Sequence, residues 1–379
     1  MVLLLFLLVL FILSFMCLMC LYKNRQLKTS IYRKLFRHPW YIISEGDNLY
    51  SFGYAGVEKF QYSNGRLSRI CKNSSFCYNC IIGYLIARSG TITGDYLYVA
   101  TRSFLGGLYK SKERGYKKGA LLIMNKSTLK IIKRIDVDYS MIEIKKLDNC
   151  MVVSGLQGFN VYNIENALEP RLTFSFRTTK AWEYQGTEIF MSAGRRYVAF
   201  ARFDYGLSIY DISDISNVCH FMDIKVEDMI SDSALLTTGL QQFQLKLDYP
   251  YLYSTLGPTP GAVGTKNEKR GILVFDISDM KNIKKYPVFI PCENWYNRVN
   301  GDPQPSQIDV YGDFIYTNFS EKGIAVFMKS NNHSDKVRFL RIINVADGKQ
   351  ILPIHINNKG VLFMGDFRRN NIYTYNLNG

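Results

Sequence analysis

Basic side chains next to aromatic rings are the groups in this chain best suited to binding chemistry. Arg102, Arg114, Lys117, Lys118, Arg202, Arg270, Arg368 and Arg369 all fall in polar segments between apolar, strand-like runs. Trp182 and Tyr184 stand in RTTKAWEYQG, and Trp295 and Tyr296 in PCENWYNRVNGDPQPS; these hold two of the three Trp residues. Rings beside guanidinium and ammonium groups suit a sugar acid, a phosphorylated ligand or a protein contact. These twelve residues form the candidate ligand-binding set. A structural reading competes with it, in which the basic residues are a solvated rim and a loop Trp caps the end of a blade.

Catalytic chemistry has less support. There is no G-x-S-x-G, no P-loop and no H-E-x-x-H. Only four His occur, at 38, 220, 333 and 355, which argues against a His-based triad or metal site. His355 reads as a core histidine on a strand. No catalytic residue, metal or cofactor is therefore assigned. The surviving enzymatic alternative is a carboxylate-dependent, glycan-active enzyme. Its candidates are Glu183, Glu188, Asp204, Glu293 and Asp302, whose separations the sequence does not set. Cys71, Cys77 and Cys80 cluster in CKNSSFCYNC. One C-x-x-C without a second pair or a nearby His is a weak zinc pattern, and a disulfide and free thiols both stay open. Cys150, Cys219 and Cys292 stand singly, as buried small apolar residues do.

The elements that position these residues are repeats. One apolar strand pattern opened by Gly recurs as GVEKFQY, GALLIMN, GFNVYNI, GLSIYDI, GILVFDI and GIAVFMK, and a seventh copy, NIYTYNL, opens with Asn. The mean spacing is about 52 residues, close to the length of a four-stranded propeller blade. Each copy is preceded by two strands joined by a tight turn and followed by a polar turn and one more strand. The expectation is an all-β, seven-bladed β-propeller of four-stranded blades. The last unit ends after its third strand, so Ser30–Phe36 is expected to supply the fourth and close the ring.

Two units, GLSIYDISDISNV and GILVFDISDMKNI, resemble the LVIVD repeat of exported and surface propellers of bacteria and archaea. The resemblance implies a propeller fold and an exported domain, and carries little about activity. In the Asp-Ile-Ser-Asp turn the side-chain oxygens are expected to bind nearby backbone N–H groups rather than to catalyse.

Residues Val2–Tyr22 carry no charge and span roughly the 30 Å core of a bilayer at 1.5 Å per residue. They predict one N-terminal transmembrane helix, a single-pass anchor or uncleaved signal over residues 1–22. A cleaved signal peptide and a lipoprotein signal at Cys17 or Cys20 are the alternatives. A basic juxtamembrane linker follows at 23–29, then the propeller at 30–379. Lys23, Arg25, Lys28, Arg33, Lys34 and Arg37 follow the run without an acid, which favours a cytoplasmic domain, against the exported side that the resemblance implies.

Formal net charge is +15. In a propeller the connections between strands 2 and 3, and between strands 4 and 1, share one face. The 2–3 connections hold thirteen basic and five acidic residues, so that face should be positive. A membrane-anchored binding or scaffold module follows, its partner a protein or an anionic polymer such as an acidic glycan. The basic loops contain no nucleic-acid recognition module, so nucleic acid is not expected as a partner.

Overall fold

The computed structural model describes residues 39–54, 56–75, 78–79, 83–103, 119–178, 186–202, 205–225, 228, 240–258, 270–291, 307–319, 322–330, 336–345, 351–366 and 371–378. The expected anchor at 1–22, the linker at 23–29 and the closing strand Ser30–Phe36 lie outside these residues. Among the described residues no helix is long and apolar enough to cross a membrane. The chain divides into Met1–Arg37 and His38–Gly379, and the second unit holds the blades.

Seven antiparallel sheets follow one another along the chain. Blade 1 is Pro39–Glu45, Asn48–Gly53, Gly56–Ser63 and Arg66–Asn73. Blade 2 is Gly83–Thr93, Tyr96–Ser103, Gly119–Asn125 and Ile131–Val137, with the short Tyr78–Asn79 added beside its first strand. Blade 3 is Met141–Leu147, Cys150–Gly155, Gly158–Asn163 and Arg171–Arg177. Blade 4 is Gly186–Ser192, Arg195–Ala201, Leu207–Asp211 and Cys219–Ile224. Blade 5 is Leu240–Asp248, Tyr251–Pro258, Gly271–Asp276 and Lys284–Phe289. Blade 6 is Ile308–Tyr311, Phe314–Asn318, Ile324–Lys329 and Val337–Ile343. Blade 7 shows three strands, Ile351–Ile356, Val361–Asp366 and Ile372–Asn376. The first strands adjoin one another in order, and Pro39–Glu45 adjoins Ile351–Ile356, which closes the ring.

Burial follows strand rank. The third strand Gly119–Asn125 is buried almost throughout, whereas the fourth strand Arg66–Asn73 is mostly exposed. A blade sandwiched on both faces needs a continuous apolar run, and the outer strand needs charge on its open edge. The core is divided accordingly: seven apolar clusters each join two consecutive blades. Blades 3 and 4, for example, meet through Phe159, Phe200 and Tyr210, with the two Phe ring centroids 4.6 Å apart.

The glycine that opens the third strand has a packing cause. A Cβ on Gly158 would stand 2.0 Å from the Phe176 carbonyl oxygen of the fourth strand, and its φ is +139°. The same carbonyl approach recurs at Gly56, Gly271 and Gly323. The Asp-Ile-Ser-Asp turns act as expected: Asp211 Oδ1 accepts the Ser213 N–H at 2.9 Å, and Asp276 Oδ1 the Ser278 N–H at 3.2 Å. Cys150 is buried as expected, but Cys219 is exposed, because it opens the outer strand of blade 4. Cys71, Cys150 and Cys219 are free thiols, while Cys77 and Cys80 lie outside the described residues.

Candidate functional site: the charged central channel

The first strands are short alternations of polar and apolar residues, such as Ile-Glu-Ile-Lys in blade 3 and Ile-Asp-Val in blade 6. Side chains two apart share a face of a strand. Ile144, Ile189, Leu245, Ile308 and Ile354 point between blades into the apolar clusters. Their polar neighbours Glu143, Lys145, Glu188 and Gln244 form one bonded group, and Lys246, Asp309 and His355 form a second.

Two hubs organise the set. Glu143 Oε2 accepts the Thr187 N–H at 2.7 Å, and its Oε1 accepts from Gln244 Nε2 at 2.6 Å and from the Tyr41 hydroxyl at 3.3 Å. Lys145 Nζ reaches Glu188 at 2.7 Å and Glu143 at 3.6 Å. Asp309 is the second hub. It pairs with Lys246 Nζ at 2.6 Å and His355 Nδ1 at 3.2 Å, and accepts the Ile356 N–H at 2.8 Å. On its other side His355 Nε2 lies 2.7 Å from Ser44 Oγ. This corrects the expectation for His355, which is no isolated core histidine but joins blades 7, 6 and 1.

Burial and the neighbouring charges together set the charge states. It raises the Glu143 carboxyl to about 7, with Glu188 adding to the rise and Lys145 opposing it. Burial also disfavours the Lys145 ammonium, but Glu188, Tyr41 and Glu143 outweigh it and hold the group charged. At Asp309 burial is outweighed by Lys246 and His355, so its carboxyl titrates well below the usual range. The Glu143 shift predicts a pH effect. A carboxyl raised in the fold favours folding fully below its unfolded value, and that contribution disappears as pH rises through about 7. Wild type should lose about 3 kcal/mol between pH 4.5 and 8 from this group. Glu143→Gln should flatten that slope and be the more stable chain at pH 8. Urea unfolding at the two pH values measures it, and an unchanged slope would remove Glu143 as the cause.

A cavity of about 530 Å³ opens beside the Asp309 hub, lined by Tyr41, Ser44, Glu45, Lys145, Lys146, Gln244, Lys246, Asp309 and His355 among others. Glu45, Gly94 and Lys146 on its wall are at the ends of first strands or in the turn that follows. The cavity therefore lies toward the 1–2 turn face, opposite the face that carries the long loops.

Near the loop face the bulges matter. The register of the first strand slips at Trp40 in blade 1 and at Arg88 in blade 2. A bulge re-aims its side chain. The Arg88 guanidinium lies 4.1 Å from the Trp40 ring centroid. Burial and then the charge of Arg102 push Arg88 down to about 9. Its Nε is buried and has no hydrogen-bond partner among the described residues.

Of the sequence-predicted site residues, three are described. Arg102 sits in the second strand of blade 2, beside Arg88. Arg202 donates to Ser208 Oγ at 2.8 Å and to Asp223 at 3.4 Å, with the Tyr205 ring 5.5 Å away. Arg270 is buried, at 1% exposure. Arg114, Lys117, Lys118, Trp182, Tyr184, Trp295, Tyr296, Arg368 and Arg369 lie outside the described residues, as do the carboxylate candidates Glu183, Asp204, Glu293 and Asp302. Glu188 is described and is paired to Lys145. The channel set was missed apart from Glu188 and His355. The two-residue polar alternation of the first strands is the signal that finds it.

Seven consecutive antiparallel sheets around a polar channel define the class: a seven-bladed β-propeller. No known protein family and no curated protein matches the chain as a sequence. Solved structures are similar in fold alone. The β-propeller domain of Nup133 from Vanderwaltozyma polyspora has a TM-score of 0.60 at 10% identity, covering 90% of this chain and 97% of that one. A putative 6-phosphogluconolactonase from Bacteroides uniformis has a TM-score of 0.59 at 11% identity, covering 85% and 88%. The WD40 β-propeller domain of Doa1 has a TM-score of 0.55 at 10% identity, covering 90% and 93%.

Proposed function

We propose that this protein is a membrane-displayed binding propeller that recognises an acidic partner, a protein or an acidic polymer such as an acidic glycan, at the loop end of its channel. The propeller fold suits a binding or scaffold role, because rigid blades hold variable loops in fixed positions. The observation that carries the reading is the buried Arg88 guanidinium over the Trp40 ring, in the field of Arg102. The buried Arg88 Nε, which has no hydrogen-bond partner among the described residues, would gain one from a carboxylate or phosphate through a charge-assisted hydrogen bond. Arg102 is followed directly by the connection that contains Arg114, Lys117 and Lys118. The uncharged run Val2–Tyr22 supports the membrane anchor, and the Asp-Ile-Ser-Asp turns support grouping the chain with LVIVD-repeat propellers.

The test uses the full chain reconstituted in phosphatidylcholine vesicles, with fluorescent polygalacturonate and poly-L-glutamate as probes. The protein should float with the vesicles and bind at least one probe, more weakly as salt rises from 50 to 200 mM. Arg88→Gln should weaken binding about tenfold, the value of one charge-assisted contact, without lowering the melting temperature. Failure to bind either probe, or equal binding by Arg88→Gln, would overturn the reading of this site.

A further inference from the structure

Ser44, His355 and Asp309 come from the first strands of blades 1, 7 and 6, which closure of the ring makes neighbours. Ser44 Oγ lies 2.7 Å from His355 Nε2, and His355 Nδ1 lies 3.2 Å from Asp309 Oδ2. The direction of the protons follows from the chemistry of each group. Asp309 is ionised and can only accept, so Nδ1 of His355 carries a proton and donates it to Asp309. In the neutral ring Nε2 then has a lone pair, and Ser44 donates its O–H to it. Asp309 is itself fixed by the Ile356 and Val310 N–H groups and by Lys246. All three side chains border the 530 Å³ cavity, a volume suited to a small organic ligand.

We propose that Ser44 is a nucleophile, with His355 its base and Asp309 the group that orients the base, and that the turn-end cavity accepts a small carboxylic ester. Ser44 Oγ adds to the ester carbonyl carbon as its proton passes to His355 Nε2. The carbon–oxygen bond to the alcohol breaks, and the alcohol leaves with that proton. Water then attacks the acyl group on Ser44, gives a proton to His355, and releases the acid as Ser44 regains its hydrogen. Lys145 and Lys246 border the same cavity and supply positive potential for the oxygen that becomes negative in each step. No G-x-S-x-G accompanies Ser44 because the serine sits on a strand, paired opposite Leu49, rather than on a strand-to-helix turn. This site is separate from the acidic-partner site near the loop face, so either can fail alone.

The experiment is covalent labelling of the full-length protein in detergent with a fluorophosphonate probe, followed by peptide mapping, with hydrolysis of p-nitrophenyl acetate as the rate assay. Label should appear on Ser44. Ser44→Ala should keep the wild-type melting temperature, lose the label and lose hydrolysis about 10³-fold or more, the scale of removing a triad member. His355→Gln should do the same. If that variant fails to fold, Ser44→Ala alone decides, since its change is one oxygen. An unlabelled wild type, a label on another residue, or wild-type hydrolysis by Ser44→Ala would overturn the assignment.

Discussion

Gly158→Val should lower the melting temperature by about 10 °C. The left-handed φ of +139° costs a branched residue about 1–3 kcal/mol, and the contact with the Phe176 carbonyl adds overpacking of about 1–3 kcal/mol. Neither can be relieved cheaply. Gly158 stands opposite Gly155 on one side and Arg177 on the other, the Thr178 N–H is bound to the Gln157 carbonyl at 2.9 Å, and Phe159 packs against Phe200 of the next blade. Moving the carbonyl would therefore open both the blade and the joint between blades 3 and 4. In a domain of this size each kcal/mol shifts the midpoint by about 2–4 °C. Gly46→Asn is the control. Its φ is also left-handed, at +59°, but nothing lies within 4 Å of its Cβ, and Asn tolerates that conformation. Thermal unfolding followed by circular dichroism compares the two. Equal midpoints would mean that the strand-3 glycine serves turn geometry alone and not the approach of the fourth strand.

Asp309→Ala should destabilise the protein by about 3 kcal/mol at pH 7, near the lower end of what breaking a buried pair costs. The substitution strands Lys246 and leaves the Ile356 N–H without its acceptor. The lower end applies because Lys246 borders the cavity, with a side chain 33% exposed, so water can reach its ammonium. The pH dependence gives a second signature. A carboxyl depressed in the fold contributes stability above its unfolded value and loses that contribution as pH falls. Wild type should weaken below about pH 4, the ordinary carboxylate range, and Asp309→Ala should lack that part of the acid slope. Urea midpoints at pH 3 and pH 7 read both effects. A variant as stable as wild type at pH 7 would show that Lys246 and His355 find other partners at no cost.

Much of the fold was legible in the sequence, because a propeller is a local repeat. The Gly-opened third strands at Gly56, Gly119, Gly158, Gly206, Gly271 and Gly323 mark six blades by themselves, and Asn371 marks the seventh. Every strand of blades 3 and 4 falls where the apolar runs and turns predict. The site was less legible. Attention to long basic loops selected residues such as Arg270, which is buried. Arg88 gave no signal, since only a one-residue bulge beside Trp40 brings it under the ring.

The sequence by itself therefore determined the number of blades, the order of strands within each, and the face of each first strand that must be polar. Those properties depend on neighbours in the chain and on a period of two. Which polar groups meet was decided only by closing the ring. Ser44 and His355 are 311 positions apart, and Tyr41 and Glu143 are 102 apart. Their bonds depend on the angle between blades and on the register of strands that never pair, quantities that no local pattern encodes.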